Sequence, residues 1–328
     1  MRTTTWGIIG PGKIANKFAT ALTMVEDARL GAIASRDAGK AREFAAKHGA
    51  SNVYNDYTAL AADPGIDAIY VATPHGFHAE HSILCLQNGK AVLCEKPLAL
   101  NAGEVEQMIA ASQRHNAFLM EAMWTRFLPI MRNIMELVSS GQIGEIKYIR
   151  ADFGFYAAFD PSGRLFNIRL GGGSLLDIGI YPLFLCLQLL GEPAKIVAAG
   201  RLSPSGSDET CHAILQYPDG ANAVISSTLS CQTSLTAEIA GTAGMIRIPT
   251  SWYKNDRFEW NPTGEAPRSV QLEPMVNGFE YQVRECQQCI AQGKIESPSL
   301  PHSFSLMMAR TMDTIRSQIG VRYLSDPS

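Results

Sequence analysis

The chain has no surplus of positive charge. Its 28 Lys and Arg stand against 31 Asp and Glu, a formal net charge of −3. With nothing to spare for neutralising phosphates, nucleic acid is not an expected partner. Cysteine is not arranged for disulfides. The seven, at 85, 94, 186, 211, 231, 286 and 289, are odd in number and mostly sit in apolar runs such as residues 91–94 and 183–187. Secreted disulfide scaffolds are short chains with paired cysteines in loops, so free buried thiols and a cytoplasmic setting are expected. Met1-Arg2-Thr3-Thr4-Thr5 leads into a strand-like segment without the apolar core of a signal peptide. The most apolar run, 178–190, is interrupted by Gly179, Pro182 and Gln188. It is shorter than the ~20 residues a bilayer span needs, so no membrane is expected. What remains is ordinary globular composition, 46% hydrophobic and 18% charged over 328 residues. At ~150 residues per domain that suggests two domains.

The first third alternates buried strands with helices of ~10–15 residues, the signature of βαβ units on a parallel sheet. Strands are expected at 5–9, 30–34, 67–71, 91–94 and 117–120, with helices near 13–22, 38–48, 78–88 and 102–115. After Trp124 and a helix near 128–140, strand-like runs dominate. Pro218-Asp219-Gly220 marks a tight antiparallel hairpin. The expected fold is α/β: an N-terminal Rossmann doubly wound parallel sheet over 1–122, then a C-terminal α+β domain over 123–328 with a large, mostly antiparallel open sheet. The last helix, about 303–319, is a candidate to pack back on the first domain.

Gly10-Pro11-Gly12-Lys13-Ile14-Ala15 fits G-x-G-x-x-G/A between a strand and a helix. The first glycine permits the turn, the second lets a pyrophosphate approach, and the small Ala15 lets helix and strand pack. The helix start supplies amide donors and partial positive charge. At the end of the second strand stands Ala34-Ser35-Arg36 rather than the acidic residue that selects NAD. A hydroxyl and a guanidinium suit a 2′-phosphate, so NADP is expected over NAD. Asp37 either caps the next helix or reaches the ribose.

Glu95-Lys96-Pro97 lies at the carboxyl end of a parallel strand, where open α/β sheets place ligands. A lysine there can stabilise alkoxide character on a substrate oxygen. In the block 171–182, Gly171-Gly172-Gly173 precedes a helix on which Asp177 and Tyr181, four apart, share a face. A phenol so placed can relay a proton. Metal is not expected: His75, His78 and His81 fan around a helix, and Cys286-Gln287-Gln288-Cys289 lies within a helical pattern.

Together, Gly10–Ala15, Ala72-Thr73-Pro74-His75 with His78, Glu95-Lys96-Pro97 and the 171–181 block resemble the Gfo/Idh/MocA family of oxidoreductases over the whole chain. The run 120–127 and Asp177–Pro182 resemble its dihydrodiol dehydrogenase branch, which acts on trans-dihydrodiols and D-xylose with NADP. The resemblance implies that Gly10, Gly12, Lys13, Ile14 and Ala15 hold the pyrophosphate and that Ser35 and Arg36 hold the 2′-phosphate. It places Thr73, Pro74, His75 and His78 along the cofactor cleft and Glu95 at the nicotinamide ribose. Lys96, Asp177 and Tyr181 would surround the reacting oxygen. Trp124, Arg126, Phe153, Phe155, Trp252 and Phe279 are candidate substrate contacts for a sugar or cyclic diol. A homodimer, or higher homo-oligomer, through the C-terminal sheet is implied too. The competing reading is a non-catalytic NAD(P)-binding sensor of the same fold.

Overall fold

The computed structural model describes residues 2–326, which fold as two units. The first comprises residues up to Trp124 together with 276–309; the second comprises 125–275 and 310 onward.

In the first unit the strands β1 (Thr4–Ile9), β2 (Ala28–Ala34), β3 (Asn52–Tyr54), β4 (Ala68–Val71), β5 (Ala91–Glu95) and β6 (Leu119–Ala122) form one sheet in the order β3-β2-β1-β4-β5-β6. Every pair is parallel. Helices α1 (Lys13–Leu22), α2 (Ala38–His48), α3 (Tyr57–Ala62), α4 (His78–Gln87) and α5 (Ala102–His115) make the crossovers. Strand order reverses between β1 and β4, and the glycine turn after β1 lies at that switch point, where this fold binds nucleotides. Continuous burial makes the strands readable: β1, β4, β5 and β6 are buried at every position. Trp6 meets Phe18 edge-on at 5.3 Å, and Phe18 stacks on Tyr70 at 3.8 Å, tying α1 to β1 and β4. Large rings of this kind each remove ~150–250 Å² from water. β3 and α3 were not among the sequence expectations. Both are short, and β3 carries two exposed residues and one half-buried, so it has no hydrophobic period to read.

The second unit opens with α6 (Pro129–Ser139). Its sheet is built from β7 (Ile146–Gly154), β8 (Lys195–Leu202), β9 (Asp208–Gln216), β10 (Asn222–Thr228), β11 (Ala237–Gly241), β12 (Gly244–Ile248), β13 (Arg257–Pro262) and β14 (Arg268–Gln271). Their order is β14-β13-β12-β11-β7-β10-β9-β8, antiparallel except for β7 beside β10. The expected hairpin closes at Gly220, with φ +84° and its N–H on the Tyr217 carbonyl. One face, including Ile149, Ala151, Leu215, Ala223, Ile225, Ile239 and Ile246, is buried. Against it packs the helical stretch that ends in α7 (Ile180–Leu190). The stretch 168–190 is apolar and long enough to cross a membrane by composition, yet 83% of its most apolar window is buried inside the protein. It is a core helix.

Two further helices are α8 (Glu280–Ala291) and α9 (His302–Ile319). The sequence placed everything after residue 122 in one second domain. Here α8 packs on α1, the Leu119 N–H bonds the Ile295 carbonyl, and 276–309 belongs with the first unit. The seven cysteines are free thiols; all are buried except Cys231.

Candidate active site

The glycine turn shows why its residues are glycines. Gly10 adopts φ +93°, and a Cβ there would come 2.8 Å from the Ala72 carbonyl oxygen. Gly12 is different: its φ is −80°, and a Cβ would meet nothing within 4 Å. Among the described residues nothing excludes a side chain at Gly12, and the backbone there faces open space. Helix α1 begins there with no side-chain cap and no acidic residue in its first turn. By contrast Asp37, Asp56 and Asn101 cap α2, α3 and α5. The amides of Lys13, Ile14 and Ala15 are thus the uncapped positive end of a helix dipole, and Ala15 is fully buried against the sheet. The turn fits a dinucleotide pyrophosphate.

At the end of β2, Ser35 is buried, and its hydroxyl accepts the Asp37 N–H at 3.1 Å. Asp37 itself accepts the N–H groups of Gly39 and Lys40 at 3.0 and 3.1 Å. These amides, with Lys40 nearby, hold its carboxyl below the usual range. Of the two alternatives left open for Asp37, the capping one is the one seen. Arg36 is exposed, its guanidinium 5.7 Å from the Phe77 ring centre.

Around the carboxyl ends of β4 and β5, His78 fastens two loops. Its Nδ1 faces the Pro97 carbonyl at 2.7 Å and its Nε2 the Thr73 carbonyl at 2.9 Å. Full burial pulls its pKa down to about 4, against the two carbonyls that favour the charged ring. His78 therefore positions the segments that carry Thr73 and Lys96 and keeps both nitrogens on backbone. The Thr73 hydroxyl meets His81 Nδ1 at 3.1 Å, and the His75 ring lies edge-on to His78 at 5.5 Å. Tyr70 donates its hydroxyl to Glu95, whose other oxygen accepts the Lys96 N–H. Glu121, at the end of β6, was not singled out as a site residue. Its carboxylate accepts the Leu98 N–H at 3.0 Å and the Ser305 hydroxyl at 2.7 Å. Burial pushes its pKa up to about 7, opposed by those two donors and by Lys96. A charged residue ending a parallel strand is the same signal that marked Glu95 and Lys96, and it could have found Glu121.

In the second unit Asp177 lies on a π-helical turn, Leu175–Gly179, and Tyr181 on the first turn of α7. One continuous helix was expected; a π turn at such a place is frequently a functional feature. Asp208, buried in β9, accepts the Ser174 hydroxyl and the Leu175 N–H, both at 2.7 Å, and so anchors the entry to this helix. Tyr181 sits in an aromatic group, 5.5 Å from Phe153 and 5.3 Å from Tyr253, with Phe153 and Tyr253 stacked at 4.3 Å. Tyr253 has no motif around it and was not anticipated. Arg164 was not anticipated either; its Nη1 donates to Asp177 Oδ1 at 2.9 Å.

The remaining aromatic candidates divide. Trp124 stacks on Phe279 at 5.1 Å within the first unit, where Phe279 is fully buried. Trp252 is also fully buried, its indole N–H on the Asp152 carbonyl at 3.0 Å. Phe155 and Arg126 are half-buried. Among the described residues no group of three or more His, Cys, Asp or Glu is placed to hold a metal ion.

A parallel sheet in this strand order, with an uncapped glycine turn at its switch point, has the architecture of a dinucleotide-binding domain. The family models agree. Residues 4–123 match an oxidoreductase family with an NAD-binding Rossmann fold, and 131–247 match the GFO/IDH/MocA C-terminal domain. The chain belongs to the GFO/IDH/MocA family and is an NAD(P)-dependent oxidoreductase. It is 40% identical to a trans-1,2-dihydrobenzene-1,2-diol dehydrogenase from Xenopus tropicalis, over 98% of this chain and 99% of that one. The enzyme of the same name from Homo sapiens is 34% identical over 98% of both chains. Among solved structures, an aldose-aldose oxidoreductase from Caulobacter crescentus, complexed with glycerol, superposes with a TM-score of 0.89 at 26% identity, covering 97% of each chain. A 3-ketoreductase from Actinomadura kijaniata, in complex with NADP and TDP-benzene, gives 0.87 at 26% identity, covering 97% of this chain and 98% of that one.

Proposed function

We propose that the protein is an NADP-dependent dehydrogenase of secondary alcohols, acting on a trans-dihydrodiol or a sugar. The observation that carries this reading is the family membership joined to full-length similarity with dihydrodiol dehydrogenases. The cofactor preference rests on Arg36, exposed at the end of β2, with Asp37 engaged as a cap. When bound, the nicotinamide ring takes up or gives back the hydride. Gly10, Gly12 and the α1 amides hold the pyrophosphate, Ser35 and Arg36 hold the 2′-phosphate, and Glu95 holds the nicotinamide ribose.

The remaining roles concern the alcohol's proton. A phenol is too weak an acid to ionise unaided at neutral pH. Tyr181 exchanges the proton of the substrate hydroxyl, and the Lys96 ammonium stabilises the negative charge that develops on the oxygen. Asp177 accepts a substrate hydroxyl and orients it. Phe153 and Tyr253 offer aromatic faces against an apolar or ring-shaped substrate.

The chain is read as cytoplasmic and as a homodimer through the second unit's sheet. Val197, Ile214, Val224, Arg150, Glu238, Arg247 and Glu259 are cross-strand partners in one row across it. Val197 and Ile214 are 48% and 44% exposed. Apolar residues beside an alternating charged row suit a self-complementary contact. Ile214→Glu should then reduce a sedimentation mass of two chains to one.

The decisive experiment is an absorbance screen at 340 nm with NADP or NAD over trans-1,2-dihydrobenzene-1,2-diol, pentoses, hexoses and inositols. Reduction of NADP with the diol or a pentose is expected, with NAD the weaker cofactor. Turnover on none of these substrates would overturn the reading.

A further inference from the structure

Between β7 and the Asp177 helix runs a segment, 155–173, that contains no strand and yet is closely built. Its backbone fastens to itself: Gly163 N–H to the Asp160 carbonyl at 3.1 Å, Asn167 to Gly163 at 2.9 Å, Gly172 to Asn167 at 3.0 Å and Gly173 to Leu165 at 2.9 Å. Phe166 is buried, and its carbonyl accepts the hydroxyls of Ser205 and Ser207. The glycine run now has a physical reason. A Cβ on Gly172 would lie 2.8–2.9 Å from the Asn167 nitrogen and the Leu165 carbonyl. On Gly173, at φ +139°, it would lie 2.2 Å from Asp208 Oδ1. Gly172 lets the backbone of 165–167 lie directly on the entry to the Asp177 helix, and Gly173 leaves room there for the Asp208 carboxylate.

What this construction carries is Arg164. Its side chain is 58% exposed and reaches a carboxylate that is only 9% exposed, Asp177, at 2.9 Å. Lys147–Glu145 and Arg268–Glu265 join exposed residues close in sequence, whereas Arg316 is buried and pairs with Asp313 and Asp326 near the end of the chain. Exposed pairs contribute little. Arg164 instead brings a fixed, permanently charged donor to a nearly buried acceptor.

We infer that Arg164 is a positioning residue of the reaction, acting through Asp177. It fixes the rotamer of the carboxylate, so that a substrate hydroxyl meets an oriented acceptor. This rests on the reading of Asp177 as a substrate contact, and it favours substrates with a hydroxyl next to the reacting carbon, as vicinal diols and sugars have.

The test uses full-length enzyme, NADP and trans-1,2-dihydrobenzene-1,2-diol, with Arg164→Gln, Arg164→Ala, Arg164→Lys and Asp177→Asn compared with the parent. Arg164→Gln is expected to lower kcat/KM for the diol at least tenfold, while the KM for NADP stays within twofold and the thermal midpoint is unchanged. Arg164→Lys should recover part of the loss, and added guanidinium should partly restore Arg164→Ala. Three results would overturn the inference. One is Arg164→Gln within twofold of the parent while Asp177→Asn is impaired, which leaves the assignment of Asp177 standing. Another is a loss that neither lysine nor guanidinium relieves, or that tracks a fall in thermal midpoint. The third is parental activity in Asp177→Asn itself, which removes the reading of Asp177 as well.

Discussion

The two units reach their functional groups by opposite routes. In the first, the dinucleotide turn is made of consecutive residues: a strand end, two glycines and an uncapped helix start, Ile9 to Ala15. In the second, Asp177 is held by Arg164 from one side, while the helix that carries it is anchored through Ser174 and Leu175 by Asp208, from a strand two elements later. Glycines occur at both places for different reasons. A Cβ at Gly12 would meet open space; at Gly173 it would meet the protein's own carboxylate. A sequence motif can stand for the first arrangement because its parts are adjacent. The second exists only once the sheet has formed.

The largest expected effect comes from substituting the residue proposed in each unit to act on the alcohol. Lys96→Met and Tyr181→Phe should each lower turnover ~10²-fold or more, about 2.7 kcal/mol, while NADPH binding by fluorescence stays within a few-fold. The double variant should be little worse than the worse single one, because groups acting as one unit are not additive. Additive losses would mean that the two act independently.

Next come the two glycines, which break the comparison directly. Gly173→Ala places a Cβ against Asp208 in a conformation that L residues rarely adopt. It should cost roughly 2–3 kcal/mol in thermal or urea unfolding. Gly12→Ala meets open space at an ordinary φ and should leave stability nearly unchanged while weakening NADP binding. Equal stability losses for the two would erase the distinction.

Stability against pH sharpens the account of the first unit. Glu121 is raised to about 7 in the fold, from 4.5 when unfolded, so the folded state binds the extra proton and stability from this group is lost as pH rises through that window. His78 is lowered to about 4 from 6.5, so its contribution is lost in the other direction, as pH falls below 6.5. The two oppose each other between about 4.5 and 6.5 in the parent. In Glu121→Gln only the His78 effect remains. The variant should therefore gain on the parent by roughly 2 kcal/mol between pH 5.5 and 7, at about 1.4 kcal/mol per unit. Parallel unfolding curves across that range would contradict the assignment.

The smallest effect is cofactor choice. Arg36→Glu should raise the KM for NADP about tenfold or more, equivalent to about 1.4 kcal/mol, and change NAD use far less. An unchanged NADP constant would remove Arg36 from the site.

The sequence by itself determined the parallel sheet, the dinucleotide turn and the family. Buried parallel strands read as unbroken apolar runs, and the turn is a local object whose glycines need no distant partner to be recognised. The same reasoning passed over β3, β13 and β14. They are short and largely exposed or half-buried, so burial imprints no pattern on them. Tertiary structure alone decided that 276–309 returns to the first unit and that Trp252 is buried with its indole on a backbone carbonyl. It also decided that Arg164, Glu121 and Tyr253 stand beside the residues the motifs had named. Each of these depends on contacts between residues far apart in the chain. A single sequence records such contacts only as isolated polar or aromatic residues, with no spacing to set them apart from any others.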